Sequence, residues 1–126
     1  MSNLEIQREE IIEIVGTQYE GRAINHADLR LQQKLVMKRQ KDNIHDANAI
    51  LMLTQDGKEL GFIPKGQASL YAPAMDSDKY RFDVEIIKTE YDPVRPILIV
   101  RIVAEFQNLS EEGAERRVVS FIQNIV

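Results

Sequence analysis

The chain reads as mainly β: a small closed or partly closed barrel of six strands, with one short inserted helix and a second helix at the C-terminal end. Three observations predict this. Short β-rich runs recur along the sequence, clusters of Asp, Asn, Gly and Pro punctuate them, and one internal stretch alone has the Ala-rich composition of a helix. At 126 residues the chain predicts a single domain over 1–126, able to bury about two thirds of the surface of its unfolded form without disulfides or a metal staple.

The elements follow in order. Ile11 to Tyr19 is β-rich with Gly16 inside it, so a strand is predicted there, with a bulge or close backbone approach at the glycine. Leu35-Val36-Met37 makes a second strand. Ala49 to Thr54 and Glu59 to Ile63 flank Gln55-Asp56-Gly57-Lys58, which predicts a hairpin whose Asp-Gly pair supplies the positive φ angles of a tight two-residue turn. Pro64 ends the returning strand because it cannot donate to a ladder. Lys65 to Met75 predicts a short helix despite Pro73, with Asp76-Ser77-Asp78 as its exit turn.

The second half repeats the β theme. Tyr80, Phe82, Val84 and Ile86 alternate with Arg81, Asp83 and Glu85, the mark of a strand with one face in the core and one in water. Asp92 to Pro96 is a loop by its two prolines, and the β-branched run Ile97 to Val103, interrupted by Arg101, predicts a central strand. Ser110, Glu111 and Glu112 offer an N-cap and an acidic first turn, and Ala114, Val118, Phe121, Ile122 and Ile125 share one face of a helix over about 110–126. That stripe is expected to dock on the barrel of its own chain. The alternative is a surface for a homodimer or another protein.

Composition excludes several classes. With no cysteine there is no thiol nucleophile, disulfide or thiolate zinc site. The first ten residues are polar, no run reaches the ~20 apolar residues that span a bilayer, and a soluble cytoplasmic protein without a membrane partner is expected. The net charge is −4 but unevenly spread: −4 over residues 1–20, then +5 over 21–41, where Arg22, Arg30, Lys34, Lys38, Arg39 and Lys41 face Asp28 alone. A solvated face and a ligand-binding patch are equally good readings of such a block.

That basic block runs into Asn43-Ile44-His45-Asp46-Ala47-Asn48-Ala49-Ile50, which places four orienting polar groups just before a strand. Asn and Asp bond their own backbone, so the stretch reads as a rigid loop. His45 with Asp42 and Asp46 could sketch a nuclease metal site, yet neighbouring positions on one loop rarely converge on one ion. There is no phosphate-cradling Gly-rich loop and no serine in a nucleophile elbow. A binding module is therefore expected, with no catalytic residue, metal or cofactor.

Five segments in this order, Ile14-Val15-Gly16-Thr17-Gln18-Tyr19, Leu35 to Arg39, Asn43 to Ile50, Asp56 to Lys65 and Ala68 to Asp76, resemble the HIRAN domain over about 11–106. The resemblance implies a small OB-like β-barrel. HIRAN domains occur fused to Swi/Snf-type helicases and as free-standing bacterial or phage proteins, and the best-understood one binds the 3′ end of single-stranded DNA. The implied partners are therefore single-stranded DNA or another nucleic acid, with a helicase or other DNA-processing protein beside it.

The resemblance also implies a site. Asp46 matches the residue that takes the terminal 3′-hydroxyl, Tyr19 matches a base-stacking aromatic, and Arg39 and Lys65 are placed to meet phosphates. Gln18, Asn43, His45 and Phe62 complete the implied groove. Three positions depart from the pattern: Gln18 stands where relatives have Arg, Glu20 where they have a second aromatic, and His45 where an aromatic precedes the loop Asp. Each residue also has a structural reading. Asp46 and Asn43 can close the turn, Tyr19 can sit on a strand as core or rim, and Phe62 can pack the barrel.

Overall fold

The computed structural model describes residues 8–107 and the backbone of 118–120. In chain order it contains β1 (Arg8–Glu13), a short 3-10 turn (Ala23–His26), β2 (Lys34–Arg39), β3 (Ile50–Thr54), β4 (Glu59–Phe62), α1 (Lys65–Ser77), β5 (Tyr80–Glu90), β6 (Ile97–Gln107) and β7 (Val118–Ser120). All six expected strands are present. They form one antiparallel sheet in the order β1-β6-β5-β2-β3-β4, curled into a half-barrel.

The two ends of this sheet meet just past β1. Val15 and Phe62 exchange two backbone hydrogen bonds, Val15 N to Phe62 O at 2.9 Å and Phe62 N to Val15 O at 2.8 Å. The approach demands glycine at position 61. A Cβ there would lie 2.6 Å from the Val15 carbonyl oxygen and 2.7 Å from Ile14 Cγ2, and its φ of +154° is one that side chains rarely adopt. The sequence led one to expect a bulge or a close approach near Gly16; the strands do meet at the neighbouring Val15, and the residue left no room for a side chain is Gly61 across from it.

Period-two alternation builds the core. Leu98, Val100, Ile102 and Ala104 of β6 are fully buried, while the residues between them are only partly so. β6 is central, as expected, but it buries one face. Ile12, Leu35, Ile50, Met52, Leu60, Val84 and Ile86 converge on it, each fully buried aliphatic contributing about 1.5–3 kcal/mol. α1 adds Ala68, Tyr71 and Ala72 to the same cluster. The Tyr71 ring meets Phe82 edge-on at 6.0 Å, and its hydroxyl donates to Glu10 Oε1 at 2.7 Å, tying helix to β1. Burial, reinforced by that carboxylate, raises the Tyr71 pKa.

Four expectations change in detail. The first strand starts earlier and stops at Glu13, so Tyr19 lies on a loop. The hairpin is not a two-residue turn: Gly57 alone takes a positive φ, +94°, and donates to Thr54 O at 2.9 Å, leaving a four-residue connection. Thr54 stabilises it by donating to Asp56 and accepting from Lys58 N. α1 runs on to Ser77, with Pro73 inside, and closes at Asp78, whose left-handed φ of 63° Asp tolerates.

The fourth change concerns the C-terminal helix. Residues 118–120 pair instead as β7 with Glu105–Gln107, where β6 extends past the end of β1 and would otherwise have an open edge. The β-branched pair Val118-Val119 suits that edge. The remainder of 110–126 lies outside the described residues.

Candidate nucleic-acid interface

The polar loop 40–49 is closed by its own side chains. Asn43 Oδ1 accepts the amides of His45 (2.8 Å) and Asp46 (3.1 Å), while Asn43 Nδ2 donates to Gln40 Oε1 at 3.0 Å. Asp46 Oδ1 accepts the Asn48 amide at 2.9 Å, and the Asp46 carbonyl accepts from Ala49 N at 3.0 Å. These are the Asx turns that the sequence led one to expect. They leave Asp46 half-buried and His45 exposed at the loop's rim.

Arg39 holds the same loop from below. Its Nη1 donates to the carbonyls of Ala47 (3.0 Å) and Ala49 (3.1 Å), and its Nε and Nη2 grip both oxygens of Asp76 at 3.0 and 3.2 Å. The bidentate pair, helped by Lys41 at 3.7 Å, keeps the Asp76 carboxyl below its usual range. The Arg39 guanidinium is thus committed to protein groups on both sides.

A second loop leaves the barrel after Val15. Tyr19 is 60% exposed on it, and Gln18 is half-buried. Beneath lies Arg22, only 8% exposed, whose Nη1 donates to the carbonyls of Gly16 (3.0 Å) and Tyr19 (3.2 Å). Its guanidinium carbon stands 4.9 Å from the centroid of the Phe62 ring, and its Nε lies 3.6 Å from Glu59 Oε1. The segment then runs along β4: Asn25 Nδ2 donates to Glu59 O at 2.8 Å, and His26 Nε2 to Leu60 O at 2.8 Å. Burial lowers the His26 pKa, opposed in part by that hydrogen bond, and His26 Nδ1 is buried without a partner.

β4 is where these pieces meet. Phe62 pairs with Leu51 on one side and Val15 on the other; Ile63 N donates to Ile50 O at 3.0 Å, just where the polar loop enters β3; and exposed Lys65 opens α1 three residues on. The two loops, Phe62 and Lys65 are thereby anchored around the end of one short strand. Gln18 also lines a groove of about 420 Å³ whose other walls are Glu13 to Thr17 and Arg95 to Ile97, and which includes no residue of the polar loop. The Thr17 hydroxyl closes its floor by donating to Pro96 O at 2.8 Å.

The basic segment is mostly internally matched. Arg22 meets Glu59, Lys34 meets Asp83 and Glu85, and Arg39 and Lys41 share Asp76. Hydrogen bonding to Asp83 raises the Lys34 pKa. Among the described residues Lys65 and Arg95 make no ion pair. Also among them, no group of three or more His, Cys, Asp or Glu is placed to hold a metal ion, so Asp42, His45 and Asp46 do not gather into one. No helix among them is long and apolar enough to cross a membrane.

Arg22 and Arg95 were missed in the sequence. Arg22 has its ring partner forty positions away, a spacing without a motif; the nearest signal was its place after Gly16 and Gly21, both of which take positive φ.

A family model described as HIRAN domain matches residues 9–105. The fold is similar to the crystal structure of the HIRAN domain of human HLTF, with a TM-score of 0.62 and 17% identity over 76% of this chain and 74% of that one. It is likewise similar to the crystal structure of a protein from Lactobacillus plantarum, with a TM-score of 0.63 and 22% identity over 77% of this chain and 97% of that one. No curated protein matches the chain.

Proposed function

This chain belongs to the HIRAN domain family, whose members are DNA-binding modules, and we propose that it holds single-stranded DNA by a free 3′ end without chemistry of its own. The observation that carries this reading is the polar loop. Asn43 and Arg39 fix its backbone, so the half-buried Asp46 carboxylate is presented in a set orientation beside exposed His45. A carboxylate accepts a terminal hydroxyl proton but repels an internal phosphodiester, so one Asp separates an end from an interior.

The other groups supply affinity. Tyr19, exposed on its loop, offers a face for base stacking, worth about 1–3 kcal/mol per base. His45, exposed at the rim of the polar loop, offers a smaller ring for the same purpose. Lys65 and Arg95, both without ion pairs, are the phosphate-facing cations, and Gln18 contributes hydrogen bonds from the groove it shares with Arg95. Phe62 serves chiefly as the platform for Arg22.

The test is fluorescence anisotropy with a labelled oligonucleotide ending in a 3′-hydroxyl or a 3′-phosphate. The hydroxyl form should bind more tightly, and Asp46→Asn should erase the preference. Equal affinities for the wild-type protein overturn end recognition.

A further inference from the structure

Two arginines of the basic segment make the same pattern of contacts. Arg22 Nη1 bridges the carbonyls of Gly16 and Tyr19, and Arg39 Nη1 bridges those of Ala47 and Ala49. Each guanidinium is also fixed from behind, Arg22 by the Phe62 ring and Glu59, Arg39 by the bidentate grip of Asp76. A rigid planar donor bonded to two carbonyls two or three residues apart sets the curvature of the chain between them, which a flexible ammonium does not.

The bracketed segments are not arbitrary. One carries Gln18 and Tyr19; the other begins next to Asp46 and contains Asn48, whose amide orients the Asp46 carboxylate. The two sets of contacts share no residue. We infer that Arg22 and Arg39 are positioning residues for two separate recognition elements: Arg22 shapes the stacking loop, Arg39 shapes the end-reading loop, and neither touches the nucleic acid. This division rests on the 3′-end reading above and assigns its affinity and its selectivity to different clamps.

The experiment compares Arg22→Lys and Arg39→Lys, with Glu59→Gln and Asp76→Asn as milder variants that leave each arginine in place and loosen its support. Binding is read with a labelled oligodeoxythymidine carrying a 3′-hydroxyl or a 3′-phosphate, over a range of salt. Arg39→Lys and Asp76→Asn should bring the hydroxyl-to-phosphate preference towards one. Arg22→Lys and Glu59→Gln should weaken both oligonucleotides alike, by about tenfold for the arginine change, and leave the preference intact.

All four should keep the wild-type salt dependence. A slope shallower by about 0.7, the signature of one lost phosphate contact, or the same loss of preference in both pairs, overturns the assignment. Wild-type protein that binds neither oligonucleotide refutes the 3′-end reading instead, and amide exchange in the free protein then decides the clamps. Arg39→Lys should speed exchange at His45, Asp46 and Asn48 but not at Tyr19 or Arg22, and Arg22→Lys the reverse. Uniform or absent change rules the clamps out.

Discussion

The guanidinium of Arg22 lies over the ring of Phe62, 4.9 Å from its centroid, with almost no access to water. A charge so placed needs the ring's negative face together with the carbonyls it bonds, because desolvation alone would make it unfavourable. The consequence is that Phe62 cannot be judged as a free stacking surface. It supports a cation that in turn supports the loop of Tyr19.

Phe62→Ala should therefore destabilise the protein by about 2 kcal/mol, more than a half-buried ring alone would suggest, since it also uncovers Arg22. Urea unfolding checks this. A change below the error of the measurement would mean that Glu59 and the carbonyls suffice to hold the arginine.

Gly61 and Gly57 should respond very differently to alanine. At Gly61 the new methyl meets the Val15 carbonyl and Ile14, so Gly61→Ala should cost about 3 kcal/mol or more and open the junction with Val15. At Gly57, with nothing within 4 Å, only the positive φ opposes the change and about 1 kcal/mol is expected. Thermal unfolding of the two variants side by side gives the comparison.

Stability should fall on mild acidification. Burial holds the folded pKa of His26 below its unfolded value of about 6.5, so its contribution is complete above that pH and is lost as the pH drops through the folded pKa. Asp76, lowered by Arg39, adds a second loss further down: its contribution is present above the ordinary carboxylate value of about 3.9 and disappears as the pH falls through its own depressed pKa. His26→Gln should remove the first step and keep the second, as followed by unfolding midpoints across pH.

Lys65→Ala and Arg95→Ala should each make the salt dependence of oligonucleotide binding shallower by about 0.7 on a log-log plot, and the double variant by about twice that. A slope unchanged in both would remove them from the interface.

Much of this architecture could be read from residue order. Alternation in Tyr80 to Ile86 and the β-branched run Ile97 to Val103 located β5 and β6, because side-chain period follows directly from the pleat. Asn43 and Asp46 were legible as turn residues for an equally local reason. What escaped was long-range. Charge alone left the basic run 21–41 open between a solvated face and a ligand-binding patch, and the partners that decide it are distant in sequence: Glu59, Asp76, Asp83 and Glu85 neutralise much of it from other strands and from the helix. The strand at 118–120 escaped as well: Val118 fits the helical stripe with Ala114, Phe121, Ile122 and Ile125, and the pairing depends on the edge of β6, which is distant from the local pattern.

The pairing of β1 with β6 has a kinetic side. Arg8 aligns with Ala104 and Glu13 with Ile99, so the first strand finds its neighbour only after nearly the whole barrel has been threaded between them. Hairpins such as β3–β4 and β5–β6 can form early at little loop-closure cost, whereas docking β1 must wait for the longest loop in the domain. Refolding should accordingly be limited by this last ring-closing step, on the slow, millisecond-to-second side of the range for small domains. Until it happens, the seam at Val15 and Phe62, and the Tyr19 loop that hangs from it, have nothing to close against.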